Sequence, residues 1–149
     1  MGSDPRKILL VDIPPKPYKY FSPSGDYALV VIFGNVLIIK VADNSIVWDM
    51  CRDLYKGKSN CNNLQHVNKS VFDPLTLYVL QSDGNFVAYH SDGHKSTAVF
   101  HTDTAQTKNY MCVKDPSISK NQPAQIVVIK ESTNEVRWSS IYGKNTSVY

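Results

Sequence analysis

The stretch Tyr27–Trp48, YALVVIFGNVLIIKVADNSIVW, contains three β-rich runs separated by two turn signals. Two runs rich in Val, Ile and Leu meet at the letters FGN, and a second turn signal, ADNS, leads to a third run that ends at Trp48. Short β-rich runs broken by Gly, Asn, Asp and Ser roughly every 8 to 12 residues are typical of an all-β domain. Since no segment has a sustained 3.6-residue periodicity, the sequence predicts strands throughout and negligible helix.

The same order of run, turn, run, turn and aromatic-ended run occurs twice more. Leu77–Phe100 reads LYVLQSDGNFVAYHSDGHKSTAVF, and Met111–Trp138 reads MCVKDPSISKNQPAQIVVIKESTNEVRW with extra residues in its first turn. Each unit is too small to bury a face alone, so three copies predict three sheets packed around a shared core.

An alignment of the three copies brings their closing aromatics together. The alignment is anchored on the polar residue that opens the second run of each copy: Asn35, Asn85 and Gln125. Trp48 and Trp138 then fall in register, and Phe100 comes two residues late. Large aromatics contribute most of the burial in a core, so we expect these three at its centre.

Length and composition place the chain among globular proteins with a single domain. We assign residues 1–149 to one domain with an N-terminal extension of about residues 1–18. The formal charge is +3 and the basic residues are scattered, which argues against a nucleic-acid partner. No apolar run approaches the roughly 20 residues that span a bilayer, so no membrane insertion is expected.

The sequence leaves two alternatives for the cellular compartment and two for the cysteine pairing. Secretion is favoured, and the cytoplasm remains an alternative because KILLVDI is too short for a signal-peptide core. Cys51 and Cys61 flank the polar loop CRDLYKGKSNC, and a disulfide that closes this loop is sterically easy. The alternative is that all three cysteines are reduced, with Cys112 a buried small side chain in NYMCV.

The segment LQSDGNFVAYHSDG carries the chemistry that most needs an explanation. Four hydrogen-bonding side chains and one apolar side chain fall at every second position: Gln81, Asp83, Asn85, Val87 and Tyr89. Asp83-Gly84 is a strong tight-turn dipeptide, so Gln81 and Asn85 should flank a hairpin turn, with Val87 and Tyr89 on the same face of the outgoing strand. Such a shallow, mildly acidic pocket suits a neutral polyol. The alternative is a polar strand face in which Asp83 and Asn85 serve turn geometry alone.

The letters QSDGNFVAY match the Q-x-D-x-N-x-V-x-Y signature of the monocot mannose-binding lectins, the bulb-type or snowdrop-like family, at all five positions. The chain resembles that family from FSPSGDYALVV to EVRWSS, including the aromatic that closes each repeat. The resemblance implies a β-prism of three four-stranded antiparallel sheets with one potential mannose site per repeat. It also implies a non-catalytic protein without metal or cofactor, whose partners are mannose-containing glycans or glycoproteins, and which could form a homodimer by exchanging a C-terminal strand.

The resemblance assigns a role to each signature residue of the second repeat. By that analogy Asp83 and Asn85 hold the axial 2-hydroxyl of mannose, Gln81 the 3-hydroxyl and Tyr89 the 4-hydroxyl, while Val87 packs against the ring carbons. The first and third repeats depart from the pattern. They carry Val31, Phe33, Asn35, Leu37 and Ile39, and Asn121, Pro123, Gln125, Val127 and Ile129, at the five positions. One intact site per chain is therefore expected.

The family's usual cysteine bridge starts just before the first repeat's Asn, where this chain has Gly34. A Cys51–Cys61 bridge would be a different one, which the resemblance does not support.

Two other function classes compete with sugar binding. The first is a protein-interaction or structural module with the same fold, which uses the apolar first repeat, notably Val31, Phe33 and Ile39, as a contact surface. The second is an enzyme or metal site, for which His90-x-x-x-His94 is the most tempting pair. That pair straddles a turn, and the sequence has no paired carboxylates, nucleophile elbow or phosphate loop, so we expect no catalysis.

Overall fold

The computed structural model describes residues 18–32, 35–50, 77–91, 96–147 and 149 of the 149-residue chain. Every element that it defines within these ranges is a β-strand, as the sequence predicts. The strands are β1 (Tyr18–Phe21), β2 (Tyr27–Ile32), β3 (Asn35–Lys40), β4 (Ser45–Asp49), β5 (Leu77–Leu80), β6 (Phe86–Ser91), β7 (Ser96–His101), β8 (Asn109–Lys114), β9 (Gln125–Lys130) and β10 (Val136–Ser139). Among the described residues, no helix is long and apolar enough to cross a membrane.

The strands form three antiparallel sheets, which confirms the predicted number. Their strand orders are β1-β2-β3-β4, β5-β6-β7 and β8-β9-β10. The first sheet has the four strands that the resemblance implies, whereas the described residues supply three strands to each of the other two. Strand pairing joins no sheet to another within the described part of the chain.

The three sheets repeat the same irregularity at the same place. The middle strand of each sequence repeat pairs with its closing aromatic as follows: Ile38 with Trp48, Ala88 with Phe100, and Val128 with Trp138. In every sheet the register shifts immediately beyond that pair. A bulge is a specific local feature of a strand pair. Its recurrence shows that the internal repeat read from the sequence is also a repeat in structure.

The late position of Phe100 is explained by the length of its hairpin. The residues that pair beyond the bulge are Tyr89 and Ala98, with eight residues between them in the chain. The corresponding pairs in the first and third sheets, Ile39 with Ile46 and Ile129 with Val136, enclose six. The ladder of this hairpin extends one pair beyond that of the first sheet, to Ser91 with Ser96, so Phe100 pairs at the position equivalent to those of the tryptophans.

The three sheets contribute to one hydrophobic core. Trp48 and Trp138 are buried in it, and Phe100 packs against it half-buried, with its ring 5.9 Å from that of Trp138 in an edge-to-face arrangement. Tyr78 and Phe86 are among its largest fully buried side chains, although sequence reasoning did not single them out. The closing aromatics therefore lie in the core, and the second sheet adds two further aromatics.

Several predictions concern residues outside the described ranges. Cys51 and Cys61, with the disulfide predicted between them, lie there, and so do residues 1–17 of the predicted extension. Cys112 lies in β8 and is half-buried, so it is more exposed than predicted.

Candidate functional site

A hairpin turn joins β5 to β6 at the predicted place. Leu80 pairs with Phe86 at the end of the ladder, and the Gln81 backbone N–H donates to the Asn85 carbonyl at 2.8 Å. Within the turn the Gly84 N–H donates to the Gln81 carbonyl at 2.9 Å. The Asp83 carboxylate accepts from the Asn85 N–H at 2.9 Å, an arrangement in which an Asp side chain stabilises a turn. This bond uses one oxygen of Asp83 and leaves the residue exposed.

The signature residues of β6 lie on the face of the sheet that points away from the core. Phe86 and Ala88 are fully buried in the shared core, and alternation along the strand places Val87 and Tyr89 on the opposite face. Across the sheet, Gln81 donates from Nε2 to the hydroxyl of Tyr89. The structure therefore brings these predicted site residues together on one face of the hairpin.

Val87 is covered on that outer face. It occupies the row of the sheet between Gln81 and Tyr89, and the hydrogen bond between those two side chains spans this row. Val87 is 3% exposed. A sugar ring can contact this methyl surface only after the Gln81 and Tyr89 side chains separate.

The side-chain amide of Asn85 has a fixed orientation. Its Oδ1 accepts from the Thr102 hydroxyl at 3.2 Å and from the Thr104 backbone N–H at 3.3 Å. Because a backbone N–H can only donate, the atom that faces it must be the oxygen, which settles an assignment that amide side chains otherwise leave ambiguous. The amide nitrogen of Asn85 makes no hydrogen bond to the described residues, so it remains a donor.

The segment Thr102–Lys108 follows β7 and donates hydrogen bonds to this turn. The Gln106 N–H donates to the Asp83 carbonyl at 2.7 Å, and the buried Thr104 hydroxyl donates to the Gly84 carbonyl at 2.8 Å. The Gly84 carbonyl also accepts from Asn109 Nδ2 at 2.8 Å. These contacts span 20 to 25 residues of sequence, and no local pattern indicated them.

Asp103, an exposed residue of this segment, pairs with Lys144. A hydrogen bond from Lys144, at 3.0 Å, and the charge of that lysine hold the pKa of the Asp103 carboxyl below its ordinary value. The pair lies at the surface, where such ion pairs contribute little to stability.

The third repeat has no comparable open site. Gln125, which aligns with Asn85, is fully buried, and its Oε1 accepts from the hydroxyl of Tyr149. Val127 is 1% exposed. Burial raises the pKa of the Tyr149 phenol, while its bonds to Ser139 and Gln125 act in the opposite direction. Tyr149 therefore contacts the side chain at the position equivalent to Asn85.

The first repeat offers little apolar surface at its described signature positions. Ile39 is buried in a small cluster with Ala28 and Val30, and Leu37 packs against this cluster half-buried. Phe33 lies outside the described residues.

The described residues contain no group of three or more His, Cys, Asp and Glu side chains that could hold a metal ion. Of the two histidines considered in the sequence, His90 lies in β6, and His94 lies outside the described ranges.

No family model, curated protein or solved structure matches this chain.

Proposed function

We propose that this protein is a metal-independent lectin that binds mannose, or glycans that contain it, at one site per chain. The site consists of Gln81, Asp83, Asn85, Val87 and Tyr89. The observation that carries the proposal is the pairing of an exposed carboxylate with a fixed amide donor, Asp83 and Asn85, in one tight turn.

The Asp83 and Asn85 pair has the groups that one sugar hydroxyl needs. A hydroxyl donates one hydrogen and accepts at its lone pairs, so it can donate to the Asp83 carboxylate and accept from the Asn85 amide nitrogen together. Asn85 cannot present its oxygen instead, because Thr102 and Thr104 hold that atom. The turn is thus suited to a hydroxyl that bridges two groups, as the resemblance implies for the axial 2-hydroxyl of mannose.

Gln81 and Tyr89 supply the second half of the site. Gln81 uses its amide nitrogen on the Tyr89 hydroxyl, which leaves the Gln81 side-chain oxygen as an acceptor and the Tyr89 hydroxyl hydrogen as a donor. A neighbouring pair of sugar hydroxyls can use both. When the two side chains separate to admit the ring, Val87 becomes its apolar contact, so we expect binding to change the environment of Tyr89.

The β-prism arrangement of the three sheets is part of the same proposal. Three repeated antiparallel sheets around one core are consistent with the faces of a β-prism.

A single shallow sugar site binds weakly, since each sugar hydroxyl exchanges hydrogen bonds to water for hydrogen bonds to the protein at a net gain of about 0.5–1.5 kcal/mol. We therefore expect a millimolar-range dissociation constant for free mannose, roughly −4 kcal/mol. Useful affinity for a glycoprotein then requires several copies presented together, which favours a homodimer or larger assembly.

Retention on immobilised mannose tests the proposal. The intact protein should be retarded on mannose resin, elute with free mannose, and pass through an unmodified resin without delay. EDTA should not change its elution, because binding uses no metal. Passage through the mannose resin without retardation would contradict the lectin assignment and favour the interaction-module alternative.

A further inference from the structure

Arg137, a half-buried residue of β10, extends from the third sheet to the segment that supports the site. Its Nη1 donates to the Thr104 carbonyl at 2.7 Å, to the Ala105 carbonyl at 3.4 Å and to the Thr107 hydroxyl oxygen. The Thr104 carbonyl also accepts a hydrogen bond from Asn109 Nδ2, at 2.8 Å. Two carbonyls and a hydroxyl oxygen of one short segment therefore converge on a single guanidinium nitrogen.

The same segment holds the three consecutive turn residues of the second sheet. Asp83, Gly84 and Asn85 each receive at least one hydrogen bond from it, through the donors described above. Arg137 is thus linked to Asp83 through one layer of hydrogen-bonded backbone, since its own hydrogen bonds go to Thr104, Ala105 and Thr107.

The segment needs an external anchor for two reasons. Asp103 and Gln106 both have a positive φ, 56° and 77°, a conformation that is uncommon and unfavourable for residues other than glycine. The oxygens of Thr104, Ala105 and Thr107 also converge, and their dipoles repel one another unless a donor lies between them. A guanidinium meets this need because it is always charged and holds the two N–H donors of Nη1 in a fixed plane, whereas a lysine ammonium is a rotatable point charge.

We propose that Arg137 is the positioning residue of the mannose site, so that the site is built from two repeats: the second supplies the sugar-binding groups and the third fixes them in place. This inference rests on the proposed lectin function. Loss of the guanidinium frees the segment Thr102–Lys108, releases the carboxamide oxygen of Asn85, and so removes the fixed donor and acceptor pair at the turn.

Two readouts test the proposal independently. Amide hydrogen exchange reports local opening, and the informative amide is that of Gln106, which donates to the Asp83 carbonyl. A D-mannose titration followed by NMR reports the site itself. The variants are Arg137→Met, which keeps most of the side-chain length, and Arg137→Lys, which keeps the charge but not the planar group. Lys144→Met is the matched control, because Lys144 forms an ion pair with the same segment through the exposed Asp103 carboxylate.

We expect Arg137→Met to speed Gln106 exchange and weaken mannose binding, each by about tenfold or more, since hydrogen bonds from a charged donor are lost. Arg137→Lys should fall between Arg137→Met and the parent, and it provides the comparison if Arg137→Met does not fold. Lys144→Met should stay within about twofold of the parent in both readouts, as for an exposed ion pair.

Each contrary outcome identifies what has failed. Unchanged Gln106 exchange in both Arg137 variants would overturn the anchoring role, whatever the sugar data show. Faster exchange with unchanged mannose affinity would make Arg137 a structural residue without influence on the site. A parent protein that binds no mannose would overturn the lectin function and the positioning role with it, while Gln106 exchange would still decide whether Arg137 anchors the segment.

Discussion

Gly84 lies so close to Thr107 that the site has no room for any other residue at position 84. A β-carbon built on Gly84 would be 2.0 Å from the Thr107 carbonyl oxygen and 3.0 Å from that of Thr104. Gly84 also has a φ of +97°, which residues with a side chain rarely adopt. The turn that carries Asp83 and Asn85 is therefore packed against the neighbouring segment, and the two depend on one another.

Gly84→Ala should destabilise the protein by about 3 kcal/mol or more, because strain in the backbone adds to a collision with a backbone oxygen. Gly25→Ala is the matched control: Gly25 also has a positive φ, +80°, but nothing lies within 4 Å of a β-carbon there. It should cost only about 1–2 kcal/mol, the backbone contribution alone. Urea unfolding of both variants measures the difference, and equal losses would contradict the close packing at Gly84.

Tyr89→Phe should weaken mannose binding about five- to tenfold, because it removes one hydroxyl that hydrogen-bonds Gln81 and that we assign to the sugar. Tyr110→Phe is a comparable change at the outer surface, where the Tyr110 hydroxyl donates to Asn134 at 3.2 Å. It should leave the mannose affinity unaltered. NMR titration measures both, and a Tyr89→Phe protein with the parent's affinity would exclude the tyrosine from the site.

Asp115 links the loop after β8 to the turn between β1 and β2. Its carboxylate accepts from the Ser24 N–H at 2.9 Å and from the Ser24 hydroxyl at 2.6 Å. Partial burial raises the pKa of Asp115, but hydrogen bonds from Ser22 and Ser24 outweigh it and hold the pKa below the ordinary value. A carboxyl whose pKa falls on folding stabilises the fold above its unfolded pKa, near 3.9, and this contribution is lost as the pH drops through the folded pKa.

Asp115→Asn should therefore lower the free energy of unfolding at pH 7 by at most about 1 kcal/mol, since the bonds are exposed to solvent. The difference from the parent should shrink as the pH falls below the unfolded pKa, near 3.9, and approaches the lower folded pKa. Glu135→Gln, which removes a carboxylate at an exposed residue, controls for the change in net charge. A difference that grows towards low pH would contradict the depressed pKa.

The all-β class and the three antiparallel sheets could be predicted from the sequence because their signals are local. Alternating apolar runs and turn residues defined the strands, and three copies of one pattern defined three sheets. Even the late Phe100 follows from the two additional residues between Tyr89 and Ala98. The hairpin at Asp83-Gly84 was equally predictable, since that dipeptide specifies its own turn.

The surroundings of the site could not be predicted, because they depend on contacts between distant parts of the chain. Nothing near Asn85 in the sequence indicates that Thr102 and Thr104 fix its amide oxygen, or that Arg137 holds their segment. The burial of Val87 beneath the Gln81 and Tyr89 pair and the contact of Tyr149 with Gln125 are of the same kind. Local sequence specified which groups are present, and tertiary contacts determine which of their atoms remain available to a ligand.

The most direct test of the lectin assignment is a D-mannose titration, followed by NMR, of the parent, Asp83→Ala and Asn35→Ala. Asn35 aligns with Asn85 in the first repeat, which lacks the other polar signature residues. The parent and Asn35→Ala should saturate alike, with millimolar-range dissociation constants and shifts centred on the amides of the turn between β5 and β6. Asp83→Ala should remain folded, because the residue is exposed, and should show no saturable shifts. Binding by Asp83→Ala with the parent's affinity would place the site elsewhere and contradict the mechanism.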